Sequence, residues 1–390
     1  MDKNVYLDYA ATTPVAPEVV EAMQPYFSEI YGNASSPHHI GRKARVALEE
    51  ARGTVAEYLA CKSEEIIFTS GGTESNNLAI FGVAYALKEK GNHIIASSIE
   101  HHSVLEPLKF LGKNGFRVTL VPVDHNGLVD PDDVESAITP ETILVSIMHA
   151  NNEIGTIEPI KEIAEVAHKH GVYVHTDAVQ TLCHLDFCAC GRGIDLLSFS
   201  AHKFYGPKGV GGLYVRNGIL LEPFLRGGAQ ERGLRASTHN VAGIVGMAKA
   251  IELRKRKIMT ETNAQILLRD MFISGIMKRI DGVTLNGHPT QRLPNNINIS
   301  IAGADAEALV IHLDTLGIAC SAGSACTSGS FEPSHVSLAL GLLRQSAAEA
   351  VRFSLGVQTT QDDIDYCLEV FPEAVKRVRA LRNEKAGSSA

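Results

Sequence analysis

Short apolar runs alternate with longer stretches of helical period through the first two thirds of the chain. Continuous runs of the kind buried on both faces fall at Glu65–Thr69, His93–Ser97, Arg117–Val121, Ile143–Ile147, Val172–His175, Leu196–Phe199 and Gly212–Val215. Helical patterns near residues 75–90, 103–114, 131–138 and 160–170 lie between them. Strands of this type separated by helices predict a mostly parallel sheet covered on both faces. Ligands of such sheets sit beyond the carboxyl ends of the strands. Asp177, Ser200 and the loop after Thr69 all fall at that edge.

Beyond about residue 255 the rhythm changes. A helical stretch over 257–280 leads to a strand in Pro294–Ser300, then to more helix and strand. The expected division is a large α/β domain over 12–256 and a smaller α+β domain made of 1–11 and 257–390. The polar end Asn383–Ala390 is expected to fray. There is no internal repeat and no low-complexity tract.

Composition narrows the class. A chain of 390 residues, 45% hydrophobic and 21% charged, is long enough to bury a sizeable core. A net charge of -8 with no long basic run argues against nucleic acid as a partner. The short basic run Arg254–Lys257 interrupts a helical pattern and reads as one solvated helix face. No apolar stretch of about 18 residues is present, so no membrane span is expected. Met1–Asn4 leads directly into the strand-like Val5–Leu7, without a signal-peptide core. Seven cysteines at irregular spacing read as free thiols in a reducing, cytoplasmic compartment.

The candidate chemistry gathers on a few residues. Lys203 stands between the apolar run Asp195–Ser200 and a glycine-rich turn, and Asp177 ends another strand. A lysine able to form a Schiff base and an acid able to hold a pyridinium nitrogen are what pyridoxal phosphate needs. Either alone also reads as a surface lysine or a strand-ending acid. Ser70-Gly71-Gly72-Thr73 follows a strand and opens a helix, which suits a phosphate or an ordinary N-cap. His101 could stack on a flat ring or move protons, or be a plain loop histidine. Asn152 could bond a ring substituent or shape a turn.

Cys326 lies in a run of Gly, Ser and Ala (Cys320–Ser330). A thiol on a movable loop suits a nucleophile that serves two sites. A plain turn, a redox pair with Cys320 and a metal site are the other readings. Cys183, Cys188 and Cys190 lie near His184, with a spacing unlike zinc fingers or ribbons.

Together these residues resemble the cysteine desulfurases, in the class-V branch of the fold-type-I pyridoxal-phosphate enzymes. The likeness runs from Tyr6–Pro14 to Arg352–Gly356, with Ser200–Lys203, His175–Gln180, Ala150–Gly155 and Gly323–Ser328 as its most specific pieces. The extended cysteine loop is similar to that of the iron–sulfur and nitrogen-fixation group. The resemblance implies a large domain with a seven-stranded, mostly parallel sheet and a smaller α+β domain. It implies that Lys203 binds pyridoxal 5'-phosphate and later moves the Cα proton, and that Asp177 pairs with the ring nitrogen. Gln180 would contact the phenolic oxygen, Asn152 would assist, and His101 would stack over the ring as acid and base. Gly72, Thr73, Ser200 and His202 would hold the phosphate, with Thr238 reaching in from the second subunit of a homodimer. Arg352, helped by Asn33, would clamp the carboxylate of L-cysteine.

The implied reaction leaves L-alanine and a persulfide on Cys326, whose sulfur passes to an acceptor protein such as an iron–sulfur scaffold. A lyase acting on selenocysteine or cysteine sulfinate, and a catalytically idle sulfur-transfer partner, are the alternatives. Ala229, Ala236 and Ser237 stand where the family usually shows Gly, Ser and Gly. The histidine usual just before Arg352 and the Ser-Pro-aromatic ending are missing. Cys320 is an additional thiol that could resolve or protect the persulfide.

Overall fold

The structure, a computed structural model, describes residues 3–185, 193–322 and 333–387. Its centre is a seven-stranded sheet in the order Ile66–Thr69, Gly211–Val215, Leu196–Ser200, Tyr173–Asp177, Thr142–Ser146, His93–Ser97 and Arg117–Val121. Gly211–Val215 runs against both of its neighbours, and the other strands share one direction. The largely apolar runs, such as Ile66–Thr69 and Leu196–Ser200, are buried along their whole length. Helices on both faces exclude water from them. Arg117–Val121, at one edge, is half exposed and carries polar residues, as an edge strand does.

One face of the sheet is covered by His39–Leu59, a helix absent from the sequence reading. Ala44, Ala47, Leu48, Ala51, Val55 and Leu59 recur along one side of it and pack with Phe68, Phe199 and Phe204. It stops at Ala60, which takes the left-handed conformation at φ 54°. The other face buries Leu78, Ile80 and Val83 with Ile94, Val104 and Leu108.

A second core forms around a four-stranded sheet, ordered Val283–Leu285, Asn296–Ile301, Ala350–Ser354 and Ser321–Ala322 and antiparallel throughout. The amino-terminal strand Val5–Tyr6 pairs in parallel with Ile318–Ala319. Its Val5 and Leu7 pack with Phe353, Phe371 and Val375. The helix expected from residue 257 is the far half of a single 39-residue helix, Val241–Arg279. Val241, Ile244 and Met247 belong to the first core, and Phe272 and Ile276 to the second. The basic run within it is not one solvated face. Lys255 and Arg256 are exposed, but Arg254 is buried. Its guanidinium donates twice to the Cys183 carbonyl, at 3.0 and 3.1 Å, and pairs with Glu261. The last helix, Gln361–Gly387, runs into the tail expected to fray.

One buried ion pair ties the covering helix to the sheet. Arg52 meets Glu231 through two bonds of 2.8 Å and also donates to the Ile66 carbonyl. Burial alone would raise the Glu231 carboxyl, but bonds from His239 and Arg52 hold it down at about 2. Removing one member leaves a buried charge without compensation. Arg52→Leu should therefore lower the unfolding free energy by about 3–5 kcal/mol, read as a lower urea midpoint. Replacing both partners by leucine should recover much of that loss.

Candidate active site

The carboxyl ends of the strands open into a cavity of about 430 Å³ between the two cores. Residues at or just after the ends of five strands, Ile66–Thr69, His93–Ser97, Thr142–Ser146, Tyr173–Asp177 and Leu196–Ser200, line its floor. After Thr69 the chain turns at Gly71, with φ 152°, and starts a helix at Gly72. A side chain at Gly72 would meet Val179 at 2.6 Å, so only glycine allows this approach. Gly72 and Thr73, in the first turn of that helix, line the cavity, and the backbone N–H groups of a helix's first turn suit an anion.

Asp177 ends its strand with both carboxylate oxygens engaged. Oδ2 accepts from Asn76 Nδ2 at 2.7 Å, and Oδ1 accepts from the Val179 N–H at 2.9 Å. Asn76 also donates to Ser103 Oγ at 2.8 Å. Ser103 in turn lies 2.8 Å from His101 Nδ1, and its backbone N–H donates to that nitrogen at 3.1 Å. A backbone N–H can only donate, so Nδ1 is the acceptor and neutral His101 carries its proton on Nε2. Burial lowers the His101 pKa, with Asp177 opposing and Lys203 adding to the shift.

Lys203 follows the strand Leu196–Ser200. Its ammonium donates to the carbonyls of Ala10 and Ala11 at 2.6 and 2.7 Å. Gln180 donates to the same Ala10 carbonyl at 3.0 Å. The buried ring of His184 donates Nε2 to the Lys203 carbonyl at 2.8 Å, which fixes the lysine's backbone. His202, bonded to Thr12, is lowered to about 4 by burial and by the charges of Lys203 and Lys208.

Opposite this floor, Arg352 projects from Ala350–Ser354. It donates to the Asn152 carbonyl at 3.1 Å and to Asp8 Oδ1 at 2.8 Å. Asn152 sits in a tight turn that Asn151 holds by accepting from the N–H groups of Glu153 and Ile154. Gly72, Thr73, His101, Asn152 and Asp177 line the cavity, as do Gln180, Ser200, His202, Lys203 and Arg352. Two expected residues do not. Thr238 is exposed and outside the cavity of its own chain. Asn33 is exposed too, and its side chain accepts from the Ser35 N–H, so it is not brought beside Arg352. Cys326, Cys188 and Cys190 lie outside the described residues.

Three residues of the site were not singled out from sequence: Asp8, Asn76 and Ser103. Asn76 stands one helical turn after Thr73, and that spacing is a usable signal. Asp8 gives no local signal, because its partner is 344 residues away. Cys320 is half buried against the second core, and burial, then the Asp8 charge, raises its thiol pKa. That keeps it protonated and ill suited to resolving a persulfide. Cys183 is likewise buried and pushed up to about 12. Among the described residues no group of His, Cys, Asp and Glu is arranged to hold a metal ion.

The donor set fits pyridoxal phosphate. A helix amino end without a side chain in the way suits the phosphate, and a fully bonded carboxylate suits the ring nitrogen. Asn76 Oδ1 is buried without a partner, and the volume lies within the range of small-ligand pockets.

Comparison with known proteins agrees. The family described as aminotransferase class-V matches residues 5–367. Cysteine desulfurase IscS of Dictyoglomus turgidum is 54% identical over 381 residues, 98% of this chain and 97% of that protein. Cysteine desulfurase IscS of Methanosarcina thermophila is 51% identical over 97% of this chain and 94% of its own. A solved NifS-like protein superposes with a TM-score of 0.91 at 38% identity, covering 96% of this chain and all (100%) of its own. The structure of SspA in complex with cysteine follows at 0.82 and 38%, covering 92% of this chain and 100% of its own.

Glu153, next to Asn152, generates a pH test. Burial raises its pKa to about 7, against the pull of Ser334 and Arg352. A carboxyl raised in the folded state favours folding fully below its ordinary 4.5, and that contribution is lost as pH rises through about 7. Glu153→Gln should flatten the fall in stability over this window by up to about 3 kcal/mol, measured by urea unfolding at both ends of it.

Proposed function

We propose, for a chain that belongs to the class-V aminotransferase family, that it desulfurates L-cysteine and delivers the sulfur to its own Cys326. The chain is a cysteine desulfurase that uses pyridoxal phosphate. The observation that carries the mechanism is the convergence of an amine, an acid, an imidazole and a guanidinium on one cavity: Lys203, Asp177, His101 and Arg352.

When bound, pyridoxal phosphate supplies an electron sink that makes the Cα proton of an amino acid removable and its Cβ substituent labile. Lys203 would hold the cofactor and, once released, take and return the proton at Cα. Asp177, fixed by Asn76 and Val179, would hold the ring nitrogen, and Gln180 the phenolic oxygen. His101 would stack on the ring and exchange a proton through Nε2, with Asn152 beside it. Gly72, Thr73, Ser200 and His202 would bind the phosphate. Arg352 would take the substrate carboxylate, a pairing whose fork geometry lysine cannot reproduce.

The carbon–sulfur bond of L-cysteine breaks as a sulfur–sulfur bond to Cys326 forms. L-Cysteine and the Cys326 thiol thereby become L-alanine and a Cys326 persulfide, with no outside oxidant or reductant. Both flanks of the segment that carries Cys326 are fastened to the cavity walls, which supports this role. On one side Ser321 pairs with Arg352. On the other, Ser334 donates to Glu153 at 2.5 Å and His335 bonds the Glu100 carbonyl at 2.9 Å.

Thr238, exposed on its own chain, would complete the phosphate site of a second copy in a homodimer. Ser237 before it holds φ 86°, a conformation that favours the glycine usual in the family. The sulfur would pass to an acceptor protein, an iron–sulfur scaffold among the candidates, in the cytoplasm. No described helix is long and apolar enough to cross a membrane.

Adding L-cysteine to the purified holoenzyme should release L-alanine and add one sulfur to the Cys326 peptide, read by mass spectrometry. Cys326→Ser should keep the cofactor's absorbance and form no persulfide. Full turnover by that variant would remove Cys326 from the mechanism, and bound cofactor with neither product would point to another substrate.

A further inference from the structure

We propose that Ser103 is a positioning residue for the reaction: backed by Asn76, its hydroxyl carries the charge of Asp177 to His101 as a fixed order of hydrogen bonds and so presents the imidazole to the cofactor in one orientation. The inference rests on the reading of the cavity as a pyridoxal-phosphate site.

The order follows from counting hydrogens, starting at Asp177. Both oxygens of this carboxylate accept, Oδ1 from the Val179 N–H and Oδ2 from Asn76 Nδ2 at 2.7 Å. Turning the Asn76 amide over would set its Oδ1 against the carboxylate, acceptor against acceptor, so the charge on Asp177 selects one orientation. The amide's second hydrogen then goes to Ser103 Oγ at 2.8 Å. With Oγ accepting on that side, the hydroxyl's own hydrogen is left for His101 Nδ1, 2.8 Å away. It has no other acceptor among the described residues.

Two features separate this chain from ordinary packing. Asn76 gives both hydrogens in the direction of the site and leaves Oδ1 buried without a partner, a cost that a side chain serving only to fill space would not carry. The second feature lies at the helix His102–Lys113, whose amino end His101 caps. That cap needs only the Ser103 backbone N–H, which donates to Nδ1 at 3.1 Å. The hydroxyl is a further donor on the same nitrogen, beyond what the cap requires. With both in place, a hydrogen on Nδ1 would meet donors head on, and turning the ring over would break both bonds.

Asn76 and Ser103 are buried, which strengthens each bond of the chain. Burial, then Lys203 and His102, disfavour a charged His101, with Asp177 opposing, in agreement with a ring held neutral. Asp177, expected at the ring nitrogen, and His101, expected over the ring, are therefore set by one another.

The test uses Ser103→Ala, Asn76→Ala and the double variant. In the apoprotein, with histidine nitrogens isotope-labelled for NMR, the His101 Nδ1 resonance should shift in Ser103→Ala, as a ring nitrogen does on losing a donor, with the proton still on Nε2. In the holoenzyme, kcat for L-alanine release should fall about tenfold in Ser103→Ala, within the coupling range of groups in one hydrogen-bond network. KM for L-cysteine and the amount of bound cofactor should stay near wild type. The same substitution made in Asn76→Ala should cost less than about threefold, because the hydroxyl there no longer has a fixed direction. An unchanged kcat in Ser103→Ala would leave Ser103 as a helix-cap residue and overturn the proposal, whatever the resonance does. An equal cost in both backgrounds would separate Ser103 from Asp177 and overturn it too. A wild-type holoenzyme that releases no L-alanine, with the His101 shift as expected, would instead overturn the functional reading beneath it.

Discussion

The site depends on a geometric constraint: strands running in one direction all stop at the same edge. There the backbone must leave the sheet, and the residues at each stop point across a common space. Thr69 with its glycine turn, Asp177 and Ser200 with Lys203 are the ends of neighbouring strands. Their spacing is set by the sheet's hydrogen bonds rather than by loops. Among the seven described strands, the reversed one, Gly211–Val215, brings its glycine end to this edge. Gly211 there passes so close to Gly71 that a side chain would meet it at 2.7 Å. Rigid ladders and missing side chains together make room for a flat, doubly charged ligand.

The opposite wall is built differently. Arg352, Asp8 and Asn152 come from distant parts of the chain, joined through the second core. Arg352 reaches back to the Asn152 carbonyl, and Asn296 and Asn298 reach the Glu153 carbonyl beside it, each at 3.1 Å. The long helix Val241–Arg279 buries one half in each core, which holds the two walls in register. Charges are placed with equal economy. His101, His184 and His202 are all shifted toward the neutral form by burial, so the cations left to anions are chiefly Lys203 and Arg352.

Much of this was legible in the sequence. The seven strands follow from continuous apolar runs, and their edge follows from the rule for parallel sheets, so Asp177, Ser200 and Lys203 could be assigned one location. What could not be read has a common physical cause. Asp8 acts through a partner 344 residues away and Asn76 through Asp177, 101 residues on, so only Asn76's place one turn after Thr73 and Ser103's place two residues after His101 gave any local sign. Arg254 reads as a solvated charge because its buried partners, the Cys183 carbonyl and Glu261, are tertiary. The helix His39–Leu59 is different: Ala44, Leu48, Ala51, Val55 and Leu59 recur at helical spacing on its buried side, so its period was present in the sequence. Thr238 and Asn33 were assigned from family likeness, and within one chain they stand apart from the cavity.

The parallel pairing of Val5–Tyr6 with Ile318–Ala319 bears on how the protein is made. Val5–Tyr6 cannot find its place until more than three hundred further residues have been made. Val5 and Leu7 then pack against Phe353 and Phe371, which emerge from the ribosome later still. The large sheet can form during translation, but the wall bearing Asp8, Ala10 and Ala11 cannot close over Lys203 until the second core exists. Once made, Lys203 therefore stays uncovered until the second core has been synthesised, and the finished pocket is a product of the last steps of folding.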